Sequence, residues 1–216
     1  KGKGSVSAFL ASILYQAGYK VGLYTSPHLI DYTERIQVDG KPIDKISFLS
    51  ILDEIKPAIE KVPEITTFEI TTALAMTVFA RQEVDFAVLE VGLGGRLDAT
   101  NVVDPLVSVI TTVSYDHQAV LGDTLAAIAG EKAGIIKTGR TVVVSNQSTE
   151  AYNVIEQRAN ELGSPLLSVG KDVHYVSASH SLDGQRFLVW QPHQQGKMDQ
   201  FLENPDGIAW HPMEYF

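Results

Sequence analysis

Residues 86–101 read FAVLEVGLGGRLDATN, and this stretch decides the fold class. Residues 86–91 form a nearly continuous apolar run, which is typical of a strand that is buried on both faces of a parallel sheet. Glu90 stands near the end of that run, and glycines follow it. Glycines let a backbone approach a ligand closely, and ligands of open α/β sheets bind at the carboxyl ends of the strands. The stretch therefore predicts a buried strand followed by a binding turn, with Asp98 as a second carboxylate in that turn.

Strands and helices alternate on both sides of this stretch. The predicted strands cover residues 21–24, 35–38, 86–91, 106–111, 141–144 and 165–169, and predicted helices cover 46–59, 66–81, 125–133 and 150–162. A further helix follows Ser5, with an apolar stripe made of Val6, Phe9, Leu10, Ile13 and Leu14. This alternation predicts an α/β fold, a mostly parallel sheet of the P-loop type with helices on both faces.

The character of the chain changes after Gly170. Residues 173–177 and 186–190 predict short antiparallel strands joined by a turn at Asp183-Gly184. Residues 204–207 predict a further turn. We therefore expect two parts, residues 1–170 and a β-rich appendage over residues 171–216.

Composition excludes several classes of function. Lys and Arg number 17 against 26 Asp and Glu, which gives a formal charge of −9 and disfavours general binding to nucleic acid or an anionic membrane. There is no cysteine, so disulfides and thiolate metal sites are excluded. No apolar run approaches the roughly 20 residues of a membrane helix. With no signal-peptide pattern, the expected location is cytoplasmic.

The first five residues, KGKGS, match the second half of a phosphate-binding loop that enters a helix. In that motif backbone N–H groups face phosphate oxygens, the lysine supplies a charge and the hydroxyl holds Mg²⁺. Lys3 and Ser5 would have those two roles. A frayed terminus rich in glycine and lysine is the alternative, and the residues alone leave both interpretations open.

Two later segments add candidate side chains. Asp116 and His117 follow the strand predicted over residues 106–111, and a neutral imidazole is a competent though unusual ligand of a magnesium-type cation. A hydrogen-bonded loop histidine is the commoner alternative. The segment GEKAGIIK, residues 130–137, reads from its residues alone as a helix end with lysines that complement the helix dipole. Structural roles are expected for the remaining histidines, which are His28, His174, His180, His193 and His211.

Taken together and in this order, these segments resemble the folylpolyglutamate synthase and dihydrofolate synthase family of ATP-dependent Mur-type ligases. The resemblance covers residues 1 to about 170. The matching segments are residues 1–5, 25–29, 34–36, 89–103, 116–117, 121–122 and 131–134.

The resemblance implies a role for each matching residue. ATP phosphates would be bound by Gly2, Lys3, Gly4 and Ser5. Magnesium ions would be held by Ser5, Glu90 and His117, and by Lys132 if that lysine is carbamylated as it often is in the family. The pterin side of the substrate pocket would be lined by Thr66, Phe68, Asp98 and Ala99. The resemblance makes Lys3, Lys132 and His117 the catalytic residues.

The implied reaction is ATP-dependent formation of an amide bond between L-glutamate and folate or dihydropteroate through an acyl phosphate. The implied cofactors are ATP and Mg²⁺, and the implied partners are these small molecules, without nucleic acid or membrane. The sequence does not define the oligomeric state. Two alternatives are a non-catalytic fragment that binds only nucleotide or pterin, and a ligase of peptidoglycan precursors. The match over residues 25–29 and 89–103 disfavours the latter.

The chain departs from the family at both ends. Family members are about twice this length, begin with a helical segment and the strand that feeds the phosphate loop, and end with a separate α/β domain. We therefore expect a chain truncated at both ends, without the first strand of the ATP-binding domain and without the C-terminal ligase domain. We also expect weak or absent ligase activity from this chain alone.

Overall fold

The structure, a computed structural model, describes residues 1–181, 184–205 and 209–215. The chain forms two compact units. One comprises Lys1–Asp104 and Asp116–Ile135, and the other comprises Pro105–Tyr115 and Ile136–Phe216. The functional division at residue 170 stays a prediction.

The first unit contains a sheet of four strands in the order β3-β2-β1-β4. These strands are β1 (Val21–Tyr24), β2 (Ile36–Val38), β3 (Lys41–Pro42) and β4 (Phe86–Leu89). β1 and β4 pair in parallel, with Tyr24 opposite Leu89, and β2 is antiparallel to β1, with Tyr24 opposite Ile36. The start of β2 therefore lies at the same sheet edge as the ends of β1 and β4.

The first unit also contains α-helices. They are α1 (Lys3–Gln16), α2 (Lys45–Ile59), α3 (Thr67–Arg81), α4 (Gln118–Leu121) and α5 (Leu125–Ala133). The core joins Tyr24 and Ile36 of the sheet to Leu74, Val78 and Phe79 of α3. α2 continues past Pro57, the predicted point of a kink or break, because this proline lies only two residues before the helix ends.

The apolar stripe predicted on α1 is not its buried face. Phe9 is 69% exposed and Ile13 is 64% exposed. α1 contacts β1 and β4, and Ser7 is the buried residue of this helix. A small residue such as Ser7 permits a close approach of the helix to the sheet, and the larger side chains Phe9 and Ile13 are exposed instead.

The strand predicted over residues 86–91 is shorter and less covered than expected. β4 ends at Leu89, and Ala87 within it is exposed. The expectation of burial on both faces is wrong for this strand, because β4 is the last strand of its sheet among the described residues.

The second unit contains the remaining strands and helices. A parallel sheet consists of β5 (Val107–Ile110), β6 (Thr141–Val144) and β7 (Leu166–Ser168), accompanied by α6 (Thr149–Glu161). An antiparallel sheet in the order β10-β9-β8 consists of β8 (His174–His180), β9 (Gln185–Trp190) and β10 (Met213–Tyr215), with α7 (Gln195–Glu203) beside it. The α/β class and the antiparallel appendage are thus confirmed.

Parts of two predicted turns, Asp183 and residues 206–207, lie outside the described residues. Among the helices that the structure describes, none has the length and apolar character needed to cross a membrane.

Candidate functional site

The buried carboxylate of Glu90 marks the sheet edge where β1 and β4 end. Its backbone N–H donates to the carbonyl of Tyr24 at 2.9 Å, which continues the β1–β4 ladder by one residue. Its Oε2 accepts a hydrogen bond from the backbone N–H of Ser26 at 3.1 Å. Glu90 is only 7% exposed. A carboxylate so far from water is costly unless it has charged or hydrogen-bonding partners.

The first turn of α1 lies beside this carboxylate. A Cβ on Gly4 would stand 3.3 Å from Oε1 of Glu90. Gly2 precedes the helix in the left-handed region, at φ 81°, and among the described residues no side-chain hydrogen bond caps this helix end. The first backbone N–H groups of α1 therefore lack a side-chain acceptor, which is the condition for binding an anion at a helix N-terminus. Ser5 follows in the same turn and is exposed.

Lys132, in the last turn of α5, is electrostatically coupled to Lys3. Burial lowers the pKa of the Lys132 ammonium, and repulsion by Lys3 lowers it further, while Asp116 acts in the opposite direction. The fold thus brings two of the predicted catalytic cations into one neighbourhood. Two cations that repel each other both attract a polyanion.

His117 is the residue that precedes α4, and its backbone lies in the left-handed region, at φ 49°. Its Nε2 lies 3.6 Å from Oδ1 of Asp116, and both side chains are more than half exposed. Within the described ranges, no three His, Cys, Asp or Glu side chains are grouped to hold a metal ion. The predicted magnesium ligation by His117 therefore stays a prediction.

A magnesium ion does fit the chemistry of Glu90. Mg²⁺ takes oxygen ligands and typically uses one or two carboxylates together with substrate phosphates and water. Glu90 supplies one such carboxylate, nearly sealed from solvent and beside the uncapped end of α1. The predicted role of Ser5 as a further ligand stays a prediction.

The glycine-rich turn after Glu90 packs against its own chain. A Cβ on Gly95 would stand 2.8 Å from the carbonyl oxygen of Glu131 on α5. Arg96 reinforces this contact, because its backbone N–H donates to the same carbonyl at 2.8 Å and its guanidinium pairs with the Glu131 carboxylate at 3.0 Å. The sequence suggested that these glycines make room for a ligand. At Gly95 the close neighbour is instead the helix that carries Lys132.

Phe68, Asp98 and Ala99, predicted to line the substrate pocket, lie close together. A Cβ on Gly92 would stand 2.6 Å from Cζ of Phe68 and 3.1 Å from Oδ2 of Asp98. Asp98 accepts hydrogen bonds from the backbone N–H groups of Leu93 and Thr100, and it caps a 3₁₀ turn that begins at Ala99. Their contact with a substrate stays a prediction.

Thr66 has a local structural role. It caps α3 reciprocally with Glu69, which accepts from the Thr66 hydroxyl at 2.6 Å and from its backbone N–H at 2.7 Å. This capping box explains why the helix begins at Thr67. The predicted contact of Thr66 with the pterin is not tested by these bonds.

From the sequence, Arg35 could bind a substrate carboxylate or form a surface salt bridge, and neither its bond to His28 nor the hydrogen bond of Tyr24 was predicted. Nε of Arg35 donates to Nδ1 of His28 at 3.0 Å. Tyr24, fully buried, accepts a hydrogen bond from Thr72 of α3. The family resemblance offered a hint, since His28 and Arg35 fall in the matching segments 25–29 and 34–36. The spacing of the two segments in the sequence does not show that their side chains are in contact.

A cavity of about 550 Å³ lies between α2, α3 and the residues around Tyr32. Its lining from α3 includes Thr67, Thr71 and Leu74, and none of the predicted site residues lines it. This cavity therefore plays no part in the site described above.

The sequence matches the family model described as the Mur ligase middle domain over residues 1–202. The chain belongs to the Mur ligase middle-domain family. Among curated Mur-type relatives, the dihydrofolate synthase/folylpolyglutamate synthase of Bacillus subtilis is 45% identical over 174 residues, which cover 78% of this chain and 40% of that protein. The folylpolyglutamate synthase of Lacticaseibacillus casei is 41% identical over 192 residues, which cover 86% of this chain and 45% of that protein.

Solved structures of such ligases share the fold. The apo form of the L. casei enzyme superposes with a TM-score of 0.85 at 39% identity, covering 89% of this chain and 48% of that one. The folylpolyglutamate synthase of Thermotoga maritima has a TM-score of 0.82 at 37% identity, covering 94% and 52% respectively. This Mur ligase chain thus spans about half or less of the relatives that it resembles.

Proposed function

We propose that this chain is the ATP-binding part of a ligase that adds L-glutamate to folate or dihydropteroate. One observation carries the proposal: the repelling cations Lys3 and Lys132 share a neighbourhood, at a helix end that no side chain caps. An anion with several charges would reduce the repulsion between the two lysines and would also accept hydrogen bonds from the N–H groups at the start of α1. The triphosphate of ATP is such an anion, and the family and the names of the relatives support that choice.

The residues of this chain would bind the nucleotide in complementary ways. The first N–H groups of α1 donate to phosphate oxygens, and the Lys3 ammonium adds a positive charge. Glu90 and, by the family resemblance, Ser5 and His117 would hold Mg²⁺. When bound, that ion neutralises charge on the transferring phosphoryl group. Neutralisation matters because a carboxylate must approach an anionic phosphate.

The proposed reaction has two steps. A carboxylate oxygen of the substrate attacks the γ-phosphorus, the bond to ADP breaks, and an acyl phosphate forms. The free amine of L-glutamate then attacks the acyl carbon, the carbon–oxygen bond to phosphate breaks, and the amine loses a proton. The Lys3 ammonium would hold the γ-phosphate in line with the attacking carboxylate, so this chain contributes by positioning and by its electrostatic field.

The predicted carbamylation of Lys132 is part of the proposal. CO₂ adds only to a neutral amine. Burial and Lys3 lower the pKa of the Lys132 ammonium, so the neutral fraction at a given pH is larger than for an exposed lysine. A carbamate there would add an oxygen donor for a second Mg²⁺.

Named complexes of neighbouring structures support the substrate class. One is described as a folylpolyglutamate synthase complex with AMPPCP and folate, and another is an Escherichia coli enzyme with DHPP and ADP. In this chain, Phe68 and Asp98 would line the pterin side of the pocket. The cytoplasmic location belongs to the same proposal.

Calorimetry with Mg²⁺ and AMPPCP tests the nucleotide site directly. We expect the chain to bind the analogue. In Mg²⁺, Glu90→Gln is expected to weaken binding about tenfold or more without changing the temperature of thermal unfolding. Glu60→Gln makes the same charge change at an exposed position in the first unit and is expected to change nothing. Equal binding by wild type and Glu90→Gln would contradict the metal role.

An ADP-release assay with dihydropteroate or folate, L-glutamate and Mg²⁺ tests the reaction. The isolated chain is expected to turn over weakly or not at all, and a longer protein that contains it is expected to show glutamate-dependent release. Nucleotide binding without glutamate-dependent release from the longer protein would favour the non-catalytic alternative.

A further inference from the structure

Arg35 carries a charge that no acidic group within the described part of the chain neutralises. Apart from the bond to His28, its guanidinium lies over the ring of Tyr32, with Cζ 4.9 Å from the ring centroid. Across residues 1–181, 184–205 and 209–215, no carboxylate pairs with it and no group accepts from its Nη atoms. Arg35 is half-buried. A half-buried guanidinium with free donors is a binding group that awaits an acceptor.

The acidic side chains nearest in sequence are already used. Glu34 accepts from the backbone N–H groups of Leu29, Ile30 and Asp31, and these bonds lower the pKa of its carboxyl. Asp31 accepts from Thr33 and pairs with Lys45 at 2.7 Å. Neither of these two carboxylates is therefore the partner of Arg35.

The guanidinium is also held in a fixed orientation. His28 accepts at Nδ1, and its ring centroid lies 5.2 Å from that of Tyr32. The hydroxyl of Tyr32 is in turn 2.5 Å from Oγ1 of Thr71 on α3. The support for Arg35 is thus anchored to the helix that carries Phe68, which reduces the entropy lost on binding.

Arg35 lies at the same edge of the first sheet as Glu90, where β1 and β4 end and β2 begins, and it is on the part of this edge that is nearer to Phe68. It directly precedes β2, and its carbonyl accepts from Thr25 at the end of β1. Two strand spacings, about 10 Å, separate β2 from β4. Both Arg35 and Asp98 act electrostatically on the hydroxyl of Tyr24, whose ring centroid is 5.8 Å from that of Phe68.

This arrangement matches one part of a pteroyl substrate. When the carboxylate to be activated lies near Glu90 and Lys3, the pteridine ring reaches toward Phe68. A pteridine presents an oxo group, O4, and a ring nitrogen, N5, side by side, like O6 and N7 of guanine. Arginine recognises that guanine edge with two N–H groups. We propose that the Nη groups of Arg35 donate to the O4 and N5 edge of the pteridine, with His28 and Tyr32 as positioning residues. This inference rests on the proposed function.

Three probes separate pteridine recognition from carboxylate recognition. Folate contains the oxo edge, 4-amino-4-deoxyfolate replaces the O4 acceptor with a donor, and p-aminobenzoyl-L-glutamate lacks the pteridine but keeps both carboxylates. Dissociation constants would be measured by calorimetry in saturating Mg²⁺ and AMPPCP. We expect wild type to prefer folate over the 4-amino compound by about tenfold or more.

Arg35→Gln is expected to weaken folate binding about ten- to a hundredfold and to abolish the preference for the 4-oxo compound. Binding of p-aminobenzoyl-L-glutamate should not change. Arg35→Lys keeps the charge but not the planar fork and should recover only part of the affinity. Arg81→Gln, an exposed arginine paired with Glu54, is the charge-matched control.

His28→Ala tests the positioning role without touching Arg35. We expect folate to bind about two- to tenfold more weakly, with the preference for the 4-oxo compound reduced but present. Thermal unfolding of each variant reports whether the fold is retained. If Arg35→Gln proves unfolded, His28→Ala carries the test, and unchanged folate affinity in it would then overturn the proposal.

Other results would contradict the inference in distinguishable ways. Unchanged affinity and preference in a folded Arg35→Gln protein would overturn the role of Arg35 alone. A matching loss of p-aminobenzoyl-L-glutamate binding would show that Arg35 binds a carboxylate instead. Failure of wild type to bind folate, with nucleotide binding intact, would overturn the proposed substrate and this inference together.

Discussion

The backbone of Gly4 and the carboxylate of Glu90 lie so close that a methyl group on Gly4 would stand 3.3 Å from the carboxylate oxygen. Gly4 belongs to the first turn of α1, and Glu90 follows β4 directly. Under the proposed function, this contact would set how near a metal ion on the carboxylate could come to phosphates on the helix end.

Gly4→Ala is expected to weaken binding of Mg²⁺ and AMPPCP about tenfold, because the methyl group pushes on the carboxylate that would hold the ion. Stability should not fall, since alanine favours a helix over glycine by about 1 kcal/mol. Calorimetry and thermal unfolding measure the two effects. Gly196→Ala in α7, where a Cβ meets nothing within 4 Å, is the control. Unimpaired nucleotide binding by Gly4→Ala would contradict the expectation.

Lys132→Met is expected to stabilise the ligand-free chain by about 0.5–1 kcal/mol while impairing nucleotide binding. The lowered pKa of Lys132 means that the unfolded chain binds more protons between that pKa and 10.5. The stability of wild type therefore rises with pH through this window, and the advantage of the variant shrinks. Urea unfolding at neutral and alkaline pH measures this trend. Lys56→Met, exposed in α2, should give no such trend.

Thr66→Ala is expected to cost about 1 kcal/mol of unfolding free energy, because the capping box of α3 is lost. Thr66→Ser keeps the hydroxyl and should restore most of the loss. Chemical denaturation measures both variants. If Thr66 acts only as a cap, folate affinity will follow stability. Weaker folate binding in a stable Thr66→Ser protein would instead indicate direct contact with substrate.

Gly92→Ala is expected to destabilise the chain by about 1–3 kcal/mol, because the methyl group would overlap the Phe68 ring. Adding Phe68→Leu should recover part of this loss by vacating the space. A double-mutant cycle of unfolding free energies gives the coupling. Additive effects would show that the two positions do not share the space.

Local signals predicted some elements well. The helix predicted over residues 125–133 is observed as α5 with the same bounds, and Thr124 caps it through its side chain. β6 also has the predicted bounds. In both cases the apolar pattern and the capping or turn residues that end it lie within a few positions of each other. Such local interactions can be recognised directly from a sequence.

Elements that depend on distant packing were missed. α7, with the mostly polar sequence QGKMDQFLE, contains few apolar residues and was not predicted, yet Met198 is buried against Leu188 and Trp190. β10 forms only by pairing with β9. The bond from Arg35 to His28 likewise arises from loops brought together by the fold. The spacing of apolar residues along the chain does not predict contacts between segments that are distant in sequence.

α3 is seated on the first sheet by two aromatic rings that occupy the places of missing side chains. Phe79 fills the space above Gly22 in β1, where a Cβ would stand 2.5 Å from the ring, and Phe68 does the same above Gly92. Neither glycine can acquire a side chain unless its aromatic partner moves or becomes smaller. Among homologues, we expect these positions to covary as two pairs, and the spacing of 11 residues between the rings to resist insertion or deletion.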